Sequence, residues 1–404
     1  MKLKVLFIDD DENILNGFRA MLHSKRKEWK CSFSSTPKDG LNLVKQEKFD
    51  VVLADMRMPC MDGADFLKAV EEIQPRAVRI ILSGYSESQS LLKSVKNAHQ
   101  FLSKPCNSDT ITGTIERVME LQPIITDESI KAIVTRLDSL PALPDLYIQI
   151  KKELESPDPD LKQVAKYVEQ DVGMSATLMK LVNSSFFGFY DTITSPARAV
   201  ILLGVDALKG LVLSVNLFKQ LRPRELHGFS VKKLWSHSLE TGGLAKVIAA
   251  CETDDKNFIS NCFAAGLLHD IGKLIFATQM NSNYRPVLDD VRQNGGPVST
   301  VEEQSLNVTH AEIGAYLLGL WGFNETIVEG VHSHHMLARC DTGFGPAIAV
   351  HVANALQHEL APQISDHRFS QIDMDRLRSL NLHHRLDLWR EKCSKWLEDI
   401  HGND

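Results

Sequence analysis

The chain is 404 residues long, enough for two or three domains, with 43% apolar residues, 24% charged residues and a formal net charge of −7. Seven scattered cysteines without a C-x-x-C pair argue against a disulfide frame and read as reduced thiols in a cytoplasmic protein. The acid excess lies in the second part: residues 1–122 hold 18 Lys+Arg and 17 Asp+Glu, and the remainder holds 27 and 35, which argues against nucleic acid as the main partner.

Val5 to Ile8 is a short apolar run ending in Asp9-Asp10-Asp11-Glu12, and a helical pattern follows through Ile14, Leu15 and Phe18. Cys31 to Ser34 reads as an edge strand. Thr36-Pro37 is an N-cap with proline at the first helical position, and Leu41 and Val44 line that helix. Val51 to Ala54 predicts a third strand, buried on both faces and ending in Asp55. Pro59, Asp62 and Gly63 supply the turn before a helix over Ala64–Ile73. Ile80–Leu82 predicts a fourth strand ending in Ser83-Gly84, with a helix to about Ala98. Phe101-Leu102 is the fifth strand, ending in Ser103-Lys104-Pro105. Ser108 is expected to cap a last helix through Ile111, Ile115, Val118 and Met119. Strands alternating with helices in this way demand a doubly wound, five-stranded parallel sheet.

In such a sheet Asp9, Asp10, Asp55, Ser83 and Lys104 all fall at the carboxyl ends of strands, on one edge. Three carboxylates in one pocket repel one another and call for a hard dication, for which Mg²⁺ with its preference for oxygen ligands is suited. A carboxylate held there can attack a phosphoryl donor, while Lys104 and the Ser83 hydroxyl receive the added charge. The runs FIDDD, ADMRMPCMDG, ILSGYS and FLSKP resemble the receiver domain of two-component response regulators over residues 1–122. The resemblance implies that Asp55 accepts phosphate from a sensor histidine kinase or phosphotransfer protein, and that Asp9, Asp10 and Asp55 hold Mg²⁺. It also implies that Ser83 and Lys104 sense the phosphate and that Phe101 is the switch aromatic. A population shift is then expected on the face built from the fourth helix, fifth strand and fifth helix.

Residues 123–139 are expected to form a helical linker, where Ile130, Ile133, Val134 and Leu137, with Leu140 just beyond, recur at helical spacing. The stripe is too short for a self-sufficient coiled coil and is expected to pack on the following domain rather than to act as a signalling or dimerisation helix. From Leu140 the pattern is helical almost without interruption. Helices are expected over Leu161–Val168, from Trp235-Ser236-His237 onward, over Phe263–Phe276, Asn307–Trp321, Thr326–His335 and Ala347–Leu360, and over Met374–Ile400. The most apolar stretch, Ala199 to Phe218, is broken by Asp206 and Lys209 and reads as a buried helix or helix pair, not a membrane span. Leu203-Gly204-Val205 has the look of a helix-turn-helix turn, but Gly210 stands where a reading helix needs bulk and Lys209 is its single cation. No basic and apolar leader marks the chain for export.

Thirteen of the fifteen histidines lie in the second part. Adjacent His269 and Asp270 offer a nitrogen and an oxygen ligand to one metal, with His237 as a third, and His310, His334 and His335 can hold a second ion. The alternative is a set of core histidines satisfying interhelical hydrogen bonds. SLPALPDL, DVGMSATLMKLVNSSFFG, ILLG, LWSHS, AAGLLHDIGKL and VHSHH resemble the HDOD domain over residues 140–360, with 361–404 as a C-terminal helical extension. That resemblance implies an all-helical, HD-like output module acting through protein–protein contact, generally without demonstrated catalysis. The superfamily's closing metal aspartate falls at Asn354, and the glutamate and Gly-Tyr-Pro signature of cyclic-di-GMP phosphodiesterases are replaced by Met336 and FGP. The expectation is therefore a non-catalytic HDOD output with a vestigial metal site at His237, His269, Asp270, His310, His334, His335 and Asn354. A receiver-gated HD-type phosphodiesterase is the alternative. The downstream protein partner is unspecified, and homodimerisation is left open.

Overall fold

In a computed structural model the chain is described over residues 2–83, 97–137, 141–142, 149–150, 152–154, 156, 158–183, 192–209, 219–220, 229–337, 343–360 and 371–401. The apolar runs of the first part form five parallel strands: β1 (Leu3–Ile8), β2 (Trp29–Ser34), β3 (Val51–Asp55), β4 (Val78–Ser83) and β5 (Gln100–Ser103). Their order is β2-β1-β3-β4-β5, which places Cys31–Ser34 on an edge as expected. Every residue of β3 and β4 is buried, because helices cover both faces of the sheet. These helices are α1 (Glu12–Met21), α2 (Pro37–Gln46), α3 (Gly63–Ile73) and α4 (Ser108–Glu120). Asp11, Thr36 and Asp62 cap the first three through their side chains. The fourth is capped by Asn107, whose Oδ1 accepts from Thr110 N–H at 2.7 Å, so Ser108 is the first helical residue and not the cap. Most of the helix expected between β4 and Ala98 lies outside the described residues.

The second part is helical: α5 (Glu128–Thr135), α6 (Leu161–Glu169), α7 (Val172–Val182), α8 (Pro196–Lys209), α9 (Val231–Ala250), α10 (Lys256–Leu268) and α11 (Ile271–Gln279) come first. Then follow α12 (Asn281–Asn294), α13 (Val298–Leu306), α14 (His310–Leu320), α15 (Glu325–Ser333), α16 (Pro346–Leu360), α17 (Met374–Ser379) and α18 (Leu386–His401). A two-residue parallel pair, Pro141–Ala142 with Lys219–Gln220, departs from the all-helical expectation. The other differences are breaks and boundaries. Ser230 caps α9 by accepting from Lys233 N–H, so the helix starts at Val231, four residues before the expected start at Trp235. The run Phe263–Phe276 is two helices, not one, with His269 and Asp270 at the joint. A left-handed Asn307 (φ 52°) ends α13, and Thr309 with Glu312 forms a capping box at α14, so the helix expected from Asn307 begins at His310. Left-handed Asn381 (φ 55°) interrupts the segment expected to run unbroken from Met374. Gly204 (φ 73°) likewise kinks α8.

The two parts share a polar seam beneath their apolar contacts. Arg79 N–H on β4 donates to His99 Nδ1 at 2.9 Å, which leaves the ring proton on Nε2 to donate to the Thr135 carbonyl at 2.6 Å. Arg79 Nη2 reaches the same carbonyl at 3.2 Å. Gln100 Nε2 donates to the Leu320 carbonyl at 3.1 Å, and Trp321 Nε1 to the Leu137 carbonyl at 3.3 Å. Buried Lys180 sits 4.6 Å over the Trp321 ring and donates to the Ala98 carbonyl at 3.3 Å. Ile130, Val134 and Leu137 of the linker stripe are buried in this packing. Burial and the charges of Arg79 and Lys180 hold His99 well below the ordinary histidine pKa, so its ring is neutral. Replacing His99 with Leu strands a buried N–H and weakens the satisfaction of a buried carbonyl, and is expected to cost about 1–3 kcal/mol. Urea denaturation checks this, and a midpoint equal to wild type would contradict it.

Candidate functional sites

The first site is built where the strands stop. Asp9 follows β1, Asp55 ends β3, Ser83 ends β4 and Lys104 follows β5. Asp9, Asp55 and Ser83 are buried and Asp10 is exposed. Lys104 Nζ pairs with Asp9 Oδ2 at 2.5 Å and with Asp55 Oδ1. Backbone N–H groups complete the cradle: Asp11 donates to Asp9 Oδ1 at 3.0 Å and Arg57 to Asp55 Oδ2 at 2.8 Å. Gly63 is required at the base of α3, since a Cβ there would run into the Asp55 carbonyl. Burial, with Asp9 adding to it, pushes the Asp55 carboxyl above its ordinary value despite Lys104 and the Arg57 N–H. Burial works against the Lys104 charge, but the two carboxylates win and hold its pKa up. Asp9, Asp10 and Asp55 each offer an oxygen, all within 4.8 Å of one another. Three hard oxygens, one of them open to water, are a donor set that fits Mg²⁺. The Ser83 carbonyl accepts from Lys104 N–H at 2.7 Å, which ties the two residues into one corner. Phe101 is buried on β5.

The second site lies inside the helical part and has Asp270 at its centre. Asp270 (φ −98°, ψ 9°) leaves helical geometry between α10 and α11, and His269 is the C-cap of α10. Gly272 follows because a Cβ there would strike the backbone of His310, which starts α14. Two overlapping groups result: His237, His269 and Asp270, and Asp270, His310, His334 and His335, each with ligand atoms within 4.8 Å. His237 Nε2 and His269 Nε2 are 3.2 Å apart, and His335 Nε2 and His310 Nε2 are 3.0 Å apart. Lys273 Nζ pairs with Asp270 Oδ2 at 2.7 Å.

The opposite ring nitrogens determine what these imidazoles present. His269 Nδ1 faces the Gly266 carbonyl at 2.7 Å and His334 Nδ1 the Val331 carbonyl at 2.7 Å. Glu302 Oε2 accepts from His310 Nδ1 at 2.6 Å and from its backbone N–H at 2.8 Å, while Tyr284 donates to Glu302 Oε1. Gln357 donates from Nε2 to Glu240 at 3.0 Å, so its Oε1 accepts from His237 Nδ1 at 2.7 Å. An acceptor at the Nδ1 of each of these four puts the proton there and leaves Nε2 with a bare lone pair. Four such lone pairs then converge around one carboxylate. Asp270 Oδ1 and His334 Nε2 are buried with no hydrogen-bond partner among the described residues, and so is Asn354 Oδ1 on α16. This donor chemistry fits a divalent metal.

The six charged or imidazole residues expected here are therefore brought together. Asn354 is buried on α16 with no hydrogen bond to its Oδ1 among the described residues, and it is in neither ligand group. Glu302, Gln357 and Glu240 were not legible, because a glutamate or glutamine on a helix usually faces water. His358 was legible in principle: it stands four residues after Asn354, and its ring lies 4.8 Å from that of His237.

Burial depresses most of the cluster. His269 and His358 are lowered to about 3, and His334 and His335 well below the ordinary value. For His310, burial is more than offset by Glu302, so its pKa is raised. Burial opposes the Asp270 charge, but His269, Lys273 and His310 hold its pKa well below the usual carboxylate range. His237 is lowered too, so below about pH 6.5 the unfolded chain takes up protons on five depressed histidines of the cluster that the folded chain refuses, with His310 working the other way. The chelator-treated protein should therefore keep its Tm from pH 8 to 7 and lose it progressively from pH 6.5 to 5. Thermal melts across that range check the sign, and a Tm rising on acidification would contradict it.

Comparison with known proteins gives a response regulator receiver domain over residues 5–116 and an HDOD domain over residues 140–337. An uncharacterized protein of Treponema pallidum is 28% identical over 235 residues, covering 58% of this chain and 45% of that protein. The hydrogenase transcriptional regulatory protein HoxA of Bradyrhizobium diazoefficiens is 26% identical over 202 residues, covering 50% and 36%. The chain thus spans less than half the length of these curated relatives. Among solved structures, the MmoQ response regulator of Methylococcus capsulatus aligns with a TM-score of 0.47 at 20% identity, covering 63% of this chain and 98% of that one. Among the described residues no helix is long and apolar enough to cross a membrane.

Proposed function

We propose that this chain, a response-regulator receiver domain joined to an HDOD domain, is a phosphorylation-controlled signalling protein that acts in the cytoplasm through protein–protein contacts of its helical part. Asp55 is the phosphoryl acceptor. Its carboxylate oxygen attacks the phosphorus of a phosphohistidine on a sensor kinase or phosphotransfer protein, the P–N bond breaks, and the histidine leaves with the electron pair and takes a proton. Mg²⁺ held by Asp9, Asp10 and Asp55 supplies charge compensation when bound. Lys104 moves its ammonium from Asp55 to the new phosphoryl oxygens, and the Ser83 hydroxyl donates to one of them. The observation that carries this reading is Lys104 pairing with both Asp9 and Asp55 at the ends of β1 and β3. Coupling to the helical part is supported by β4 and β5, which carry Ser83 and Phe101 and lead directly to Arg79, His99 and Gln100 at the seam. Incubation with labelled acetyl phosphate and Mg²⁺ should give stable label on wild type and none on Asp55→Asn. Label persisting on Asp55→Asn would refute the assignment, and identical sets of captured proteins with and without phosphodonor would refute the control.

The converging bare nitrogens and the unpartnered Asp270 oxygen support a divalent metal in the helical part, held by His237, His269, Asp270, His310, His334 and His335 or a subset of them. They also favour a second reading, a receiver-gated phosphohydrolase of cyclic dinucleotides, which the neutral amide of Asn354 opposes. Metal-loaded protein is expected to leave cyclic di-GMP intact. Turnover abolished by His269→Ala would establish the second reading instead.

A further inference from the structure

The two halves of the helical cluster are chemically unequal. In one half, Asp270 Oδ2 is already neutralised by Lys273 Nζ at 2.7 Å, and His237 and His269 stand 3.5 Å from that same oxygen. Their remaining nitrogens are anchored by neutral acceptors, an amide oxygen and a main-chain carbonyl. In the other half, Asp270 Oδ1 lies 3.2 Å from His310 Nε2 without meeting hydrogen-bond geometry, and His334 Nε2 is also buried without a partner among the described residues. There His310 is anchored by the carboxylate of Glu302, itself fully buried, which makes the imidazole the stronger electron donor.

We propose that the site holds one divalent ion, bound by Asp270 Oδ1, His310, His334 and His335, and that the Lys273 ammonium stands in for a second ion beside Asp270 Oδ2. Three imidazole nitrogens and one carboxylate oxygen make a complete tetrahedral set, which suits Zn²⁺. Charge points the same way. Three carboxylates, Asp270, Glu302 and Glu240, act on the cluster and Lys273 cancels one of them, so one dication balances the charge. A second dication would leave two positive charges in excess inside a buried site, where unpaired charge is expensive. The inference rests on the reading that the helical part binds metal at all.

The test is metal content. Full-length protein is stripped with chelator, reloaded with excess Zn²⁺, desalted and measured by elemental analysis, with circular dichroism confirming the fold of each variant. Wild type should retain one ion per chain. His335→Ala, at a half-buried position, should lose it, and His237→Gln should keep it. Lys273→Met should raise the content toward two. Co²⁺ substitution provides a second readout: intense tetrahedral absorption in wild type and His237→Gln, and its loss in His335→Ala. Two ions in wild type, or an ion lost from His237→Gln and kept in His335→Ala, would overturn the assignment while leaving metal binding intact. One ion in Lys273→Met would overturn the role given to the lysine. No ion in any variant would overturn the metal reading itself.

Discussion

A single ammonium makes the receiver edge tolerable. Asp9 and Asp55 are delivered by neighbouring strands into a corner where neither carboxylate is well hydrated, and Lys104 reaches both. Without a cation, two buried acids so close cannot both stay ionised. The parallel sheet creates this condition, since its strands are apolar along their length and can change character only at their ends. The polar groups are therefore concentrated on one rim, where the lysine keeps an oxygen of Asp9 and of Asp55 paired.

The helical cluster meets the same difficulty with a different composition. Its acid, Asp270, is surrounded by imidazoles whose protons have been drawn to the outward nitrogens by Glu302, Gln357 and main-chain carbonyls. Lys273 plays toward Asp270 the part that Lys104 plays toward Asp9 and Asp55, but it serves only one of the two oxygens. In both sites the arrangement is incomplete as a purely protein structure. The receiver rim has oxygens to spare for a hard ion, and the cluster has bare nitrogens suited to a softer one.

Legibility followed the strength of the local signal. Continuous apolar runs ending in Asp, Ser or Lys made the sheet readable, and placed the five rim residues at the ends of the expected strands. The helices of the second part were readable as periodic stripes, but their joints were not. The apolar pattern of Phe263–Phe276 runs straight through His269-Asp270, and only backbone geometry shows the turn there. Ser230 and Asn107 are caps that the sequence displays, yet each competes with a neighbour of similar chemistry, Trp235-Ser236 and Ser108. The seam was the least legible feature. A lone Arg79 in an apolar strand and a His99 before another have no periodicity to betray them, and their partner is a main-chain carbonyl that any residue would supply.

The position of β4 limits how the rim can communicate. It is hydrogen-bonded along both sides, to β3 and to β5, so it cannot slide lengthwise without breaking two ladders at once. Among the described residues β5 has a ladder on one side, and Gln100 on it meets the helical part. On the proposed phosphorylation of Asp55, a changed charge beside Ser83 would have to cross sideways, as a reorientation of side chains passed from the doubly bonded inner strand to the outer one. A receiver wired in this manner works less like a piston than like a hand on a latch.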